Sequence, residues 1–299
     1  MQNLYPYFSQ NPLDRLDLIR ADETKVKQLK ESKNSLYLMF DGNNIIVNEK
    51  DKQCFFSRDS IEKYSINQEE IILLGRYEEI DYFAFTLKSE VSANLSKIAI
   101  REFASSLFVP EEKLGIIAQA AAVLNWHTAH QHCSSCGNLT TVTKAGWRRD
   151  CLSCKREHFP RVDSVVIMLV TFGDYCLIGR GVNFLQDRYS CLAGYVESGE
   201  TLEDAARREL YEEAGVVGLE ANYVLSQPWP FPSTLMVGMH VRAKAQELTL
   251  DHNELSDAKW VHKKDIEAIL NGDKSFGFSV PSQIAIARNL LELWVADKI

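Results

Sequence analysis

Apolar and polar positions along the chain follow two periods, and the change from one to the other marks out the elements. In the first 125 residues, short apolar runs at Ser35–Phe40, Asn44–Val47, Glu70–Leu74 and Tyr82–Leu87 are separated by polar, turn-forming stretches. That pattern predicts strands. Pro110 then opens a predicted helix over Glu111–Trp126, rich in Ala and Leu. After residue 160 the apolar run Ser164–Val170, the turn Phe172-Gly173-Asp174 and the run Tyr175–Gly179 predict a hairpin. Further strands are expected at Tyr189–Leu192, Leu235–Val241 and Ala258–Val261, and helices at Leu202–Ala214, Lys264–Leu270 and Gln283–Ala296. In the last helix Ile286, Leu290 and Leu293 fall at i, i+4 and i+7, one core-facing stripe. Strands and helices in mixed order predict an α+β fold with a mixed sheet between helices. Three regions follow: a mixed α/β domain over 1–125, a cysteine-bearing segment over 126–160 and a second domain over 161–299.

Length and composition agree with this division. The 299 residues suffice for two domains of ordinary size, and 45% hydrophobic with 25% charged residues is the composition of a globular protein. No apolar run approaches the roughly 20 residues of a membrane span. The first residues lack the basic start and apolar stretch of a secretory signal, and ADKI at the end is not a peroxisomal address. A cytoplasmic location is the expectation. The net charge of −8 disfavours strong non-specific nucleic-acid binding. An acidic protein can still take an anionic substrate when metal ions supply the positive charge.

Seven cysteines without a signal sequence argue against a disulfide framework. Cys54, Cys176 and Cys191 stand among apolar neighbours and read as small core residues. Cys133, Cys136, Cys151 and Cys154 form two C-x-x-C pairs fourteen residues apart, with Gly137 after the first pair. This is the spacing of a zinc ribbon, a closed four-thiolate site and therefore structural. His130, His132 and His158 lie near, but four cysteines already complete such a site.

Gly194 to Val216 carries the most chemistry. Thr201 with Asp204 three residues on can cap a helix, and Gly215 can end it in a left-handed turn. Leu202, Ala206 and Leu210 form a core stripe, and Glu209, Glu212 and Glu213 gather on another face. Taken alone, three such glutamates read better as a solvated polar face. The Gly-containing loop ahead of the helix and Arg208 beside the cluster favour a site for hard cations, which prefer carboxylate oxygens.

The stretch resembles the Nudix box, G-x5-E-x7-R-E-U-x-E-E-x-G-U with U apolar, at every fixed position. The resemblance implies a Nudix fold, with Glu209 and Glu213 binding catalytic Mg²⁺ or Mn²⁺ and Glu212 assisting as ligand or base. It implies a further ligand in the carbonyl of Ala193. Glu200 and Arg208 would orient the loop and helix. Ser226-Gln-Pro-Trp-Pro-Phe-Pro-Ser-Thr234 is similar to the SQPWPFPxS signature of the NADH pyrophosphatase branch, with Thr234 in place of the last Ser. Three prolines hold Trp229 and Phe231 in a stiff backbone, suited to a flat ring or equally to a loop over a core. Trp126 to Cys133 also fits that branch.

The resemblance then implies substrate contacts from Gln227, Pro228, Trp229, Pro230, Phe231, Pro232, Ser233 and Thr234. Glu254 matches a downstream metal ligand, and Tyr195 a base-stacking aromatic. Phe159 falls where the branch often has Tyr, keeping the ring and losing the hydroxyl. Gly146 lies where some relatives carry a substrate-contacting Glu, so that contact is missing here. Ala287 would approach substrate through its backbone. In the first region Arg101 is the one candidate phosphate contact, against the simpler reading of a surface charge. The implied reaction is hydrolysis of NAD(H) at its pyrophosphate and of the same bond in NAD-capped RNA, by a homodimer with no membrane partner. The alternatives are a Nudix hydrolase of ADP-ribose or another dinucleotide, and a zinc-ribbon RNA-binding protein with an inactive Nudix domain.

Overall fold

The computed structural model describes residues 5–64, 66–106 and 108–299. The chain forms two compact units. One comprises Phe8–Val162 together with Trp229–Ser233; the other comprises Asp163–Pro228 and Thr234–Ile299 with residues 5–7.

The N-terminal unit contains α1 (Glu23–Glu31), β1 (Ser35–Asp41), β2 (Asn44–Asn48), β3 (Phe55–Ser57), α2 (Arg58–Ile61), β4 (Ile72–Tyr77), β5 (Ile80–Thr86), β6 (Leu95–Ala99), α3 (Ile100–Ser105) and α4 (Glu111–Ala129). The cysteine segment adds β7 (Thr140–Thr143), β8 (Arg148–Cys151) and β9 (Glu157–His158). The main sheet runs β4-β5-β1-β2-β6, with β3 also on β1. β1 lies parallel to β5, and the remaining pairs are antiparallel. Tyr37, Met39, Phe83 and Phe85 fill one face in the two-residue period of a pleated strand. Helix α4 packs on β1, β4 and β5. It passes so close to the chain at Gln10 that a Cβ on Gly115 would lie 2.2 Å from the Gln10 carbonyl oxygen.

The C-terminal unit contains β10 (Asp163–Phe172), β11 (Tyr175–Gly181), β12 (Leu192–Tyr195), α5 (Leu202–Ala214), β13 (Gly218–Trp229), β14 (Thr234–Ala243), β15 (Leu255–His262), α6 (Lys263–Leu270) and α7 (Ile286–Val295). Its sheet runs β13-β14-β10-β11-β15, with β12 paired to β10. β10 and β14 are parallel, while β11 and β12 run antiparallel to β10. The nearly continuous apolar run of β10 is explained by burial on both faces. Val166, Met168 and Val170 meet Ala206 and Leu210 of α5. Ile167 and Leu169 meet Ile266 of α6 and Ile286 and Leu290 of α7. The sheet between helices is thus the α+β arrangement that the pattern predicted.

Several boundaries moved, two of them with a clear physical cause. The strand expected at Tyr189–Leu192 lies at Leu192–Tyr195. Ser190 instead exchanges both backbone hydrogen bonds with Gly179, at 2.8 and 2.9 Å, and the Tyr189 amide donates to Ser279 at 3.0 Å. These residues are satisfied without a ladder. The last helix begins at Ile286 rather than Gln283, and its N-cap residue Ala285 offers no side-chain cap. The cap comes from β13: the Oε1 of Gln227 accepts the Ile286 amide at 2.9 Å.

Candidate active site and metal centres

The ends of α5 are fixed by local chemistry. Thr201 Oγ1 accepts the Asp204 amide at 3.1 Å, and Gly215 closes the helix at φ 69°. The stripe of Leu202, Ala206 and Leu210 packs into the core, which orients the other faces. Two backbone bonds then bring a distant loop to the C-terminal turn. Thr249 donates to the Ala214 carbonyl at 2.9 Å and Asp251 to the Glu213 carbonyl at 3.0 Å. Both carbonyls are among those a helix end leaves without partners. The Trp260 indole N–H anchors the same loop on the Gln246 carbonyl at 2.8 Å.

This docking carries Glu254 to the helix. Carboxylate oxygens of Glu209, Glu213 and Glu254 lie within 4.8 Å of one another. Glu213 is only 4% exposed. Three like charges held this close need a cation or protons between them. An all-oxygen donor set of carboxylates fits a hard divalent ion. The Ala193 amide donates to Glu213, so the residue just before the box also faces this cluster. Glu212 does not join it. Its carboxylate is 59% exposed and accepts from Arg208 Nη1 at 2.8 Å.

Arg208 commits all five guanidinium N–H groups. Nε and Nη2 grip the two oxygens of Glu200 at 2.6 and 2.9 Å, Nη1 bonds Glu209 and Glu212 at 2.8 Å each, and Nη2 also bonds the Tyr195 carbonyl at 2.9 Å. Arg208, and then the Glu197 amide, hold the Glu200 carboxyl down at about 2. One cation thereby ties the loop, the helix and one side of the glutamate cluster together.

The first glycine of the box has a steric reason. A Cβ on Gly194 would stand 1.8 to 2.2 Å from the carboxylate atoms of Glu209. Gly194→Ala is expected to push that carboxylate out of the cluster. Because the obstructing atoms end a flexible side chain, stability should change by less than about 1 kcal/mol, while divalent-ion affinity falls about tenfold or more. Calorimetric Mn²⁺ titration beside urea unfolding checks both; unchanged affinity would refute it.

Burial, and then the charges of Glu209 and Glu254, push the Glu213 carboxyl up to about 8 against the pull of the Ala193 amide. A group whose folded pKa lies above its unfolded value of 4.5 stabilises the fold while protonated. That contribution is full below the unfolded pKa and is lost as pH rises through about 8. In Mg²⁺-free buffer the protein should therefore lose on the order of a few kcal/mol between about pH 5 and about pH 9, relative to Glu213→Gln. Parallel slopes for the two proteins in urea unfolding would overturn this.

The four cysteines of the N-terminal unit also converge. Their Sγ atoms lie within 4.8 Å of one another, and all four are free thiols. Cys133–Cys154 and Cys136–Cys151 are each 3.5 Å apart, far beyond an S–S bond and near the ~3.8 Å edge of a tetrahedral zinc–thiolate site. Two equivalent knuckles build it: Gly137 donates to Cys133 and Lys155 to Cys151, both at 2.9 Å, with Gly137 and Lys155 at positive φ. The amide of Ser135, followed by that of Cys136, pulls the Cys133 thiol down, favouring the thiolate. Cys54, Cys176 and Cys191 are buried, and burial pushes Cys54 and Cys191 up to about 12, the state of inert core thiols.

The expected substrate contacts are distributed unevenly. Tyr195 and Phe159 are well exposed. Arg101 places its guanidinium 5.1 and 4.9 Å from the ring centres of Trp229 and Phe231, and Phe8 meets both rings edge-on at 6.2 Å. The simpler alternative of a lone surface charge misses this pairing, since the partners lie some 130 residues away. Pro230, Ser233 and Thr234 are buried, Pro228 is half-buried and Pro232 is exposed. The Ala287 side chain lies in the core beside Ile286 and Leu290, leaving only its backbone in the first turn of α7.

Gln227 has a framework role instead of the expected substrate contact. It is wholly buried, and its Nε2 donates to the Tyr7 and Ile284 carbonyls at 2.9 Å each while Oε1 caps α7. Gln227→Ala should cost about 2–4 kcal/mol in urea unfolding, because it strands buried backbone groups. A loss below about 1 kcal/mol would count against that role.

The chain is 33% identical to NAD-capped RNA hydrolase NUDT12 of Pongo abelii over 97% of its own length and 73% of the relative's. The chain belongs to the Nudix hydrolase family. The NUDIX domain matches residues 160–277 of this Nudix chain, and the NADH pyrophosphatase-like rudimentary NUDIX domain matches residues 34–126. Human NAD-capped RNA hydrolase NUDT12 is 42% identical over 63% of the chain, and NAD-capped RNA hydrolase NudC of Stutzerimonas stutzeri is 32% identical over 76% of the chain and 78% of its own length. The matched segment spans 43% of the human relative.

Proposed function

We propose that this chain hydrolyses the pyrophosphate bond of NAD(H), giving nicotinamide mononucleotide and AMP, and removes NAD caps from RNA 5′ ends by cutting the same bond. The observation that carries the reading is the convergence of Glu209 and Glu213 of a complete Nudix box with Glu254 of a distant loop. It is supported by relatives whose names are those of NAD-capped RNA hydrolases.

In this reading Glu209, Glu213 and Glu254, with the Ala193 carbonyl, hold Mg²⁺ or Mn²⁺, and Cys133, Cys136, Cys151 and Cys154 hold zinc. The divalent ion, when bound, neutralises phosphate charge and activates water. Arg208 fixes Glu209 from behind, so the carboxylate need not reorganise during reaction. Glu212, exposed beside Arg208, is available to take a proton from water. Tyr195, Phe159, Trp229 and Phe231 offer rings to the base and nicotinamide, and Arg101, held over two of those rings, offers charge to a phosphate. The working form is a cytoplasmic homodimer.

The test is incubation of the purified protein with NADH and either Mg²⁺ or Mn²⁺, with chromatography for AMP and reduced nicotinamide mononucleotide. Absence of both products with either metal would sink the proposal. Faster turnover of ADP-ribose than of NADH would overturn the substrate. Competition between NADH and NAD-capped RNA, scored by kcat/KM, ranks the two NAD-bearing substrates.

A further inference from the structure

The N-terminal unit holds a cavity of about 400 Å³ that the glutamate chemistry does not use. Its walls come from the last turns of α4, the β7–β8 hairpin and the segment around Glu70 and Lys88. The volume lies near the lower end of small-molecule sites, which run from about 300 to 1,000 Å³.

Arg149 lines this cavity and is only 8% exposed. Its three hydrogen-bond acceptors are neutral. Nε donates to Thr140 Oγ1 at 2.7 Å, Nη2 to the Thr140 carbonyl at 2.9 Å, and Nη1 to His127 Nδ1 at 3.0 Å. His127 offers no compensating charge. Its Nε2–H is engaged by the Gly146 carbonyl at 2.8 Å, which leaves Nδ1 as the acceptor. Burial, reinforced by the Arg149 charge, pushes the imidazole down to about 4. The carboxylate whose field reaches Arg149 is Glu70, and it is paired with Lys88 at 2.8 Å on the cavity wall. A guanidinium keeps its charge even when buried, and a buried charge without a counter-ion is costly. Three hydrogen bonds leave two of its five N–H groups uncommitted.

We propose that the cavity beside Arg149 binds a small ligand through an oxyanion, a carboxylate or a phosphate, that pairs with the free guanidinium N–H groups. Thr128 and Gln131 line the cavity and are exposed, so it opens to solvent. The site is independent of Glu209, Glu213 and Glu254, and its failure would leave the proposed hydrolysis untouched.

The experiment is NMR of the arginine Nε–H signals in the full-length protein, titrated with inorganic phosphate, with succinate and with AMP in Mg²⁺-free buffer at constant ionic strength. Arg149→Met assigns the signal. Phosphate or succinate should shift the Arg149 resonance along a saturable curve, and the responding anion identifies the oxyanion class. Thr128→Trp, which adds bulk to the cavity wall at a residue that does not bond Arg149, should weaken that binding at least about tenfold. The proposal is overturned if no probe gives a saturable shift up to about 10 mM, or if Thr128→Trp binds as tightly as the unaltered protein.

Discussion

Glu213→Gln is expected to lower kcat for NADH by about a thousandfold or more while leaving the protein folded and, at alkaline pH without metal, more stable. The side chain is isosteric, so its packing against the end of α5 survives, and an amide oxygen can still accept the Ala193 N–H. What is lost is the charge. Glu213 is the most buried member of the cluster, and its ionised form is opposed by burial and by Glu209 and Glu254. A divalent ion is what makes that ionised form favourable, so removing the charge removes the main reason for the ion to bind. Function and stability are therefore opposed at this residue. Glu212→Gln is the control. Its carboxylate stands outside the three-glutamate group and already has Arg208 as partner. Its loss should leave Mn²⁺ affinity nearly unchanged and show in kcat, by about 10- to 100-fold, if it handles a proton. Steady-state kinetics with Mn²⁺ calorimetry on both variants separates the roles. Equal loss of metal affinity in the two would contradict the geometry.

The contrast between Glu212 and Glu213 shows where sequence reasoning stops. Spacing of i, i+3 and i+4 put Glu209, Glu212 and Glu213 on one broad face, and spacing alone could not say which pair would meet. The choice is made by Arg208 and Glu254. Arg208 draws Glu212 outward, whereas the loop that docks on the Ala214 and Glu213 carbonyls brings Glu254 toward Glu209 and Glu213. That docking joins residues some 40 positions apart through backbone atoms, which leave no residue-type signature. The helix itself was readable because Thr201 and Gly215 mark its ends by local chemistry, and the observed span, Leu202–Ala214, matches the expected one. Strand β10 was readable because burial on both faces leaves it almost wholly apolar. Strand β13 was not: much of it is exposed or half-buried, so it lacks alternation, and the Pro-rich run that starts at Pro228 suggested a loop. Gln227 was misleading for a related reason. A motif marks a residue as necessary without saying whether it touches the ligand or caps a helix.

Removal of the zinc proposed for the cysteine cluster is the second large effect expected. Isolated zinc fingers unfold without metal, because binding free energy there is folding free energy. Here the segment has other attachments. The Trp147 indole donates to the Leu73 carbonyl at 2.7 Å, and Arg149 bridges Thr140 and His127. Chelation should therefore loosen the two knuckles first rather than melt the unit outright. Cys133 and Cys151 are buried while Cys136 and Cys154 are exposed, so the two pairs of ligands are not equivalent to solvent. Cys133→Ser exchanges a buried thiolate ligand for a hydroxyl that suits zinc poorly, and should cost about 3–5 kcal/mol with loss of bound zinc. Cys136→Ser, at the solvent edge, should cost less. Zinc content by elemental analysis, unfolding midpoints and limited proteolysis across residues 133–158 measure these three consequences. A purified protein that carries no zinc, with Cys133→Ser unfolding at the same denaturant concentration, would mean that the four thiols hold their shape without an ion. The donor sets make the result specific. Soft sulfur ligands suit a thiophilic ion at the ribbon, and hard carboxylate oxygens suit a hard one at the glutamate cluster. A thiophilic chelator used with excess Mg²⁺ should thus strip the first centre and leave Mg²⁺ binding at Glu209, Glu213 and Glu254 intact.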